Sequence, residues 1–483
     1  MRRILFLVCA FAALAQGDVR LPALISDHML IQRDAPVHVW GWADPGEKVS
    51  VRFDGRSAAA TANAVGQWSV FLPPVKAGVA GDMTVAGGNS ITLRDVLAGD
   101  VWVASGQSNM QWAVRQADNA AAEIAAANHP RLRLFKVALK TSDYPLDDVK
   151  GAWTVCNPDT VGEFSAVGYY FGRDLHKSLN VPIGMVQSAW GGTPAESWTS
   201  YKALAADPGL MPVFAEWAET LERYPLANVR YQIALKNAGA KKPAPPTGPG
   251  HQWQPASLYN AMIAPLTPYP IRGAIWYQGE SNANRRRAHL YRRLFGTMIQ
   301  DWRRAWGQGD FPFLFVQLAN FKTGPDNQWP ELREAQTQTL DLANTGMAVT
   351  IDIGNPGNIH PTNKQEVGRR LALAARSVSY GEKLVSSGPI FRQATAEPGA
   401  LRLWFEHAGG GLQAKGGELR GFAVAGDDGK FVPATARIEN NTVVVSSPGV
   451  PEPVWARYGW EDNPECNLYN AEGLPASPFR TGR

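Results

Sequence analysis

Val101-Trp102-Val103-Ala104-Ser105-Gly106-Gln107-Ser108-Asn109-Met110 reads as an apolar strand that ends in a sharp glycine turn and presents one serine. A hydroxyl becomes a competent nucleophile when a base takes its proton and N–H groups stabilise the oxyanion that attack creates. A serine at a strand-to-helix turn gains the second condition from backbone amides left free at the helix start. The base has to come from elsewhere. Far along the chain, Met347-Ala348-Val349-Thr350-Ile351-Asp352-Ile353 feeds a Gly/Asn/Pro loop carrying Ile359-His360-Pro361, and a helical pattern follows from Asn363 to Tyr380. Both groups lie beyond the ends of predicted strands, where open α/β sheets collect their chemistry.

Around this stretch the pattern changes twice. Residues 18–98 alternate apolar and polar over short runs, as in Gln67-Trp68-Ser69-Val70-Phe71-Leu72, with Asp-Pro-Gly and Asp-Gly turns between them, which predicts an N-terminal β-sandwich-like domain. From 99 to 381, apolar strands alternate with helical periodicity, the signature of a doubly wound α/β domain with a parallel sheet. The expected strands are 100–104, 182–188, 271–277, 311–318 and 347–353, and the expected helices include 164–179, 286–305, 331–344 and 363–380. Residues 236–250, rich in Pro, Gly and Lys, form a linker-like excursion inside this domain. Alternation returns in 386–483, for example in Thr442-Val443-Val444-Val445-Ser446, so a C-terminal β region closes the chain.

The first 15 residues carry Arg2 and Arg3, an apolar stretch from Ile4 to Leu14, and Ala13-Leu14-Ala15 as a small-x-small cleavage site, which predicts a signal peptide and an exported protein, periplasmic or extracellular. No second apolar stretch approaches the roughly 18 residues a membrane span needs. The formal charge of +4 drops with Arg2 and Arg3, and the remaining charges are interspersed, which argues against a nucleic-acid partner. Cys9 leaves with the signal. Cys156 and Cys466 remain, and an oxidising compartment would let them pair if their Cα atoms came within bridging distance. The 17 Trp and 13 Tyr residues supply both core packing and the exposed rings that sugar clefts use.

Four segments fall at predicted strand ends: Gly106-Gln107-Ser108-Asn109, Trp190-Gly191-Gly192-Thr193, Tyr277-Gln278-Gly279-Glu280-Ser281-Asn282 and Asn358-Ile359-His360-Pro361. Together they resemble the SGNH hydrolase superfamily, and specifically the sialate O-acetylesterase family, over nearly the whole mature chain. The resemblance implies Ser108 as nucleophile, His360 as base, and an oxyanion hole of the Ser108 amide, an amide at Gly191 or Gly192, and the Gln278 side chain. Glycines let backbone amides approach a reacting carbonyl closely, and a glutamine offers an NH₂ donor that does not titrate. Glu280 reads as an organiser behind the nucleophile. Relatives in the wider superfamily carry an aspartate three residues before this histidine, where this chain has Gly357 followed by Asn358. Either a backbone carbonyl orients His360, giving a Ser-His dyad, or Asn358, Asp352 or another carboxylate takes the third role.

No His-x-His or His-Glu-x-x-His pair occurs, so no protein-ligated catalytic metal is expected, and a serine esterase calls for no organic cofactor. The expected substrate is an O-acetylated sugar, with sialate first. The alternatives are an acetylesterase of plant polysaccharide such as acetyl xylan or xyloglucan, and a carbohydrate-binding protein that has lost activity. A sialic acid brings a carboxylate that favours an arginine, and Arg115, Arg285, Arg286 and Arg287 follow site blocks closely enough to be candidates.

Overall fold

The computed structural model describes residues 18–239, 242–284 and 286–482. The expected signal peptide and Arg285 lie outside them. The fold is α/β, and its axis is one strand, Ser90–Gly106, that serves two modules. Its first half pairs antiparallel with Ala80–Ala86 and, over Leu97 to Gly99, parallel with Leu30–Gln32. Its second half is the central strand of a parallel sheet ordered Thr345–Ala348, Phe313–Val316, Gly273–Tyr277, Ser90–Gly106, Ile183–Ala189, His129–Lys136, with Trp153–Cys156 antiparallel at the edge. The expected boundary at 98/99 therefore falls inside a continuous strand.

The central strands are buried on both faces, as unbroken apolar runs in a parallel sheet require. Trp102 pairs in register with Gly273, so Tyr277 shares its face and Trp276 points the other way. On the first face Trp102 meets Phe171 of helix Ala166–Leu179, with ring centroids 5.0 Å apart. On the second, Trp276 meets Trp302 of helix Tyr291–Trp306 at 5.9 Å. Each such buried side chain contributes roughly 1.5–3 kcal/mol. Helix Lys364–Val378 packs along Ala166–Leu179, with Gly368 against Tyr170, where a Cβ would sit 2.5 Å from the tyrosine's own. That close approach holds the start of the second helix over the sheet.

Several elements differ from expectation for identifiable reasons. The strand expected over 347–353 is Thr345–Ala348, because the chain leaves the sheet at Val349, and the Thr350 hydroxyl donates to the Gln317 carbonyl at 2.6 Å. The helix expected from 286 begins at Tyr291 after a tight turn, Ala288–Leu290. The helix expected over 331–344 is Trp329–Gln338, with Pro330 in its first turn. Sequence periodicity missed His129–Lys136, Trp153–Cys156 and the 26-residue helix Met211–Lys236, in which only Val213 is buried. Cys156 and Cys466 are free thiols, contrary to the pairing an oxidising compartment would allow. Cys156 is buried at the end of the edge strand and Cys466 lies against Tyr458 in the C-terminal region; burial pushes their thiols up to about 12 and about 11.

The C-terminal β region has its own core around Leu403, Val424, Val443 and Tyr458. One tie to the sheet domain is the buried Arg333, which donates to the carbonyls of Leu318, Ala319, Glu461 and Asp462 at 2.8–2.9 Å. Arg333→Met removes those bonds while keeping most of the volume, and we expect a loss of about 2–4 kcal/mol, read as a lower urea midpoint. An unchanged midpoint would show that the two regions do not depend on this guanidinium.

Candidate active site

Three of the four segments meet because their strands are neighbours. Gly106 ends the central strand at φ +136°, and a Cβ there would run into the Tyr277 carbonyl oxygen. The Gln107 N–H donates to that carbonyl at 3.0 Å, and the Trp190 N–H donates to the Gly106 carbonyl at 3.1 Å. Ser108 then opens the short helix Ser108–Gln111. The histidine loop starts three strands away and is carried across by the helix that follows it. The His360 Nε2 atom lies 2.8 Å from Ser108 Oγ. With the ring proton on Nδ1, Nε2 accepts the hydroxyl proton, the geometry general-base activation needs.

One carboxamide holds the two loops in register. Asn109 Nδ2 donates to Glu280 Oε1 at 2.6 Å and to the Ile359 carbonyl at 3.0 Å, directly before His360. Its Oδ1 accepts from Lys364 Nζ, and the lysine lies over the Tyr277 ring at 5.2 Å. Burial raises the Glu280 carboxyl, while Glu280 Oε2 is buried with no hydrogen-bond partner among the described residues. Burial pushes the Lys364 ammonium down to about 7, opposed by its attraction to Glu280. The His360 imidazole is lowered as well, first by burial and then by repulsion from Lys364. It therefore stays neutral, and able to accept a proton, to lower pH than an ordinary histidine.

The third triad position is filled by none of the expected residues. Asp352 is committed to Arg370 at 2.6 and 2.8 Å and accepts from the Tyr469 hydroxyl at 3.2 Å. The Asn358 carboxamide accepts the backbone N–H of His360 itself at 2.9 Å, so it shapes the turn and does not reach the ring. Instead the imidazole stacks on Trp112, with centroids 5.0 Å apart and planes 18° from parallel.

Two of the expected oxyanion donors are spoken for. The Gly191 N–H donates to Gln111 Oε1 at 2.7 Å. The Gln278 side chain is fully buried, with its NH₂ donating to the Thr193 carbonyl at 3.2 Å and Asn282 Oδ1 at 2.6 Å, and its oxygen accepting from Tyr291 at 2.8 Å. It organises the loop and offers no donor to a ligand. The backbone N–H groups of Ser108 and Gly192 have no hydrogen-bond partner among the described residues, and Gly192 adopts φ +72°.

The arginines are also engaged. Arg115 pairs with Glu163 at 2.5 Å, Arg286 faces Glu219 at 3.7 Å, and Arg287 sits between Glu196 at 3.0 Å and Glu216 at 2.9 Å. Sequence reasoning missed Gln111, Trp112 and Lys364. Lys364 left a signal, since a cation in a helix's first turn opposes the macrodipole and needs another reason to be there.

Comparison with known proteins points to the esterase family that the four segments resemble. Residues 247–377 match a family model described as carbohydrate esterase, sialic acid-specific acetylesterase. The chain is 34% identical to the sialate O-acetylesterase of Mus musculus, covering 99% of this chain and 96% of that protein. It is 31% identical to that of Homo sapiens, over 95% and 92%. Among solved structures, a carbohydrate acetylesterase from Xanthomonas citri superposes with a TM-score of 0.85 at 44% identity, covering 96% of this chain and 100% of that one.

His360 is expected to titrate below the ordinary histidine range by NMR. Lys364→Met removes the neighbouring positive charge and should move that titration upward; a downward move or none would show that the lysine does not act on the ring.

Proposed function

The chain belongs to the sialate O-acetylesterase family and is a carboxylic ester hydrolase, and from that premise we propose that it releases acetate from O-acetylated sialic acid by a Ser108–His360 dyad. The observation that carries this reading is the 2.8 Å contact between Ser108 Oγ and His360 Nε2, beside two unengaged backbone N–H groups. Ser108 Oγ attacks the acetyl carbonyl carbon as its proton passes to His360 Nε2. The carbonyl oxygen becomes an oxyanion and is met by the N–H groups of Ser108 and Gly192. As the C–O bond to the sugar breaks, His360 returns the proton to the leaving alcohol oxygen, and Ser108 holds the acetyl group. Water then adds to this ester with His360 again taking the proton, and acetate leaves as Ser108 Oγ recovers it.

The remaining site residues act through these two. Asn109, Glu280 and Lys364 keep the histidine loop at hydrogen-bonding distance from the serine, and Trp112 limits rotation of the imidazole in place of a third triad carboxylate. The basic and apolar opening of the sequence supports export. Among the described residues no helix is long and apolar enough to cross a membrane.

Ser108→Ala should fold normally and lose acetate release from acetylated sialic acid by about three orders of magnitude or more, with His360→Ala nearly as damaging and the double variant little worse than either, because the two side chains act as a unit. Near-wild-type turnover by Ser108→Ala in a coupled acetate assay would sink the mechanism. Asn358→Ala should cost far less than His360→Ala, since its carboxamide holds only the turn; an equal loss would give it a part in orienting the ring.

A further inference from the structure

Next to Gly192, close to the nucleophile turn, one aromatic side chain is fixed and partly exposed. The Gly191 backbone packs on Ser108, with a position for Cβ 3.3 Å from the serine's own. The carbonyl of the next residue, Gly192, accepts the indole N–H of Trp253 at 2.6 Å. The Arg287 guanidinium lies over the indole at 5.5 Å from its centroid, and Glu196 and Glu216 hold that guanidinium in turn. Glu196 is tied to the third segment through Asn282, whose NH₂ donates to it at 2.8 Å. Trp253 still keeps 37% of its surface exposed. The indole's single polar atom is already bonded, so what it offers to solvent is carbon.

An immobilised aromatic surface beside an esterase nucleophile has an evident ligand chemistry. The axial C–H bonds of a pyranose make one of its faces apolar, and a flat indole covers such a face with no ordering cost of its own. The charges around the ring narrow the class further. Arg287 is one cation between two carboxylates, and Arg286 faces Glu219. A carboxylate on a ligand here would meet acids and no unpaired arginine among the described residues.

We propose that Trp253 is the stacking platform for an uncharged pyranose ring, so that the enzyme accepts acetyl esters of neutral sugars at the same nucleophile. This inference rests on the acetylesterase chemistry of Ser108 and His360 and extends it from sialate to neutral sugars. Trp253 is a specificity-determining residue, and its effect belongs in KM for the sugar.

The test compares wild type, Trp253→Phe and Trp253→Ala on three esters: a mono-O-acetylated methyl glucopyranoside, 9-O-acetyl-N-acetylneuraminic acid and 4-nitrophenyl acetate. The ratio of kcat/KM on the acetylated glucopyranoside to that on nitrophenyl acetate should fall about ten-fold or more in Trp253→Ala, chiefly through KM, with Trp253→Phe between it and wild type. The same ratio for the sialic acid ester should change by less. An unchanged ratio, with the esters declining together, overturns the proposal and leaves the indole only as a brace for Gly192. An equal loss on the sialic acid ester overturns the uncharged assignment. A wild type that cleaves the neutral ester in a Trp253-dependent way but not the sialic acid ester supports the platform and defeats the sialate reading. A wild type that cleaves the sialic acid ester but not the neutral one does the reverse.

Discussion

The Asn109 carboxamide is where the separate parts of this molecule become one site. Its two nitrogen-bound hydrogens reach Glu280 from the third segment and the Ile359 carbonyl from the fourth, and its oxygen takes the Lys364 ammonium from the following helix. Ser108 precedes it and His360 follows Ile359. A 2.8 Å contact across 252 residues of chain is thereby set by a neighbour whose nitrogen and oxygen are both engaged. Nothing in the loops themselves demands that separation. Without the carboxamide, the histidine loop would keep the stack of His360 on Trp112 and the packing of its helix.

The charges behind the carboxamide are held at some cost. Burial disfavours the ionised forms of both Glu280 and Lys364, raising the one and lowering the other. Their mutual attraction offsets part of this, and Asn109 bridges them. Such an arrangement adds little net stability, because desolvation of each ion opposes the attraction. Its value is geometric, since removing either partner leaves the other buried and uncompensated. Burial, and after it repulsion from the positive end of the pair, lower the His360 imidazole, which suits a base that must accept a proton near neutral pH.

The C-terminal β region takes part in this geometry. Asp352, at the root of the histidine loop, joins Arg370 of the following helix to Tyr469. Asn320, whose oxygen accepts the Gly354 N–H, also donates to Asn463. Arg333 fastens the Glu461-Asp462 backbone to the sheet. The loop that carries the base is therefore stiffened from outside the α/β domain, and a carboxylate that in sequence resembles a triad member serves as its anchor.

Much of this was legible in the residues alone. An apolar run ending at a glycine, a serine directly after it, and a histidine between a strand and a helix are local patterns, and local patterns follow from backbone sterics and hydrophobic periodicity. The helix expected over 164–179, found at Ala166–Leu179, follows on those grounds, whereas the four segments as a set are legible through their resemblance to a known family. Helix Met211–Lys236 was not legible, because it buries almost no side chain and carries Pro225, so no apolar period marks it. What only the tertiary structure decided is which polar groups remain available. Gln111 takes the Gly191 amide, Thr193 and Asn282 take the Gln278 amide, Arg370 takes Asp352, and two glutamates take Arg287. A side chain's type states which bonds it is able to make. Whether those bonds are free for a substrate depends on competitors that are mostly distant in the chain, and only the folded packing brings them into range.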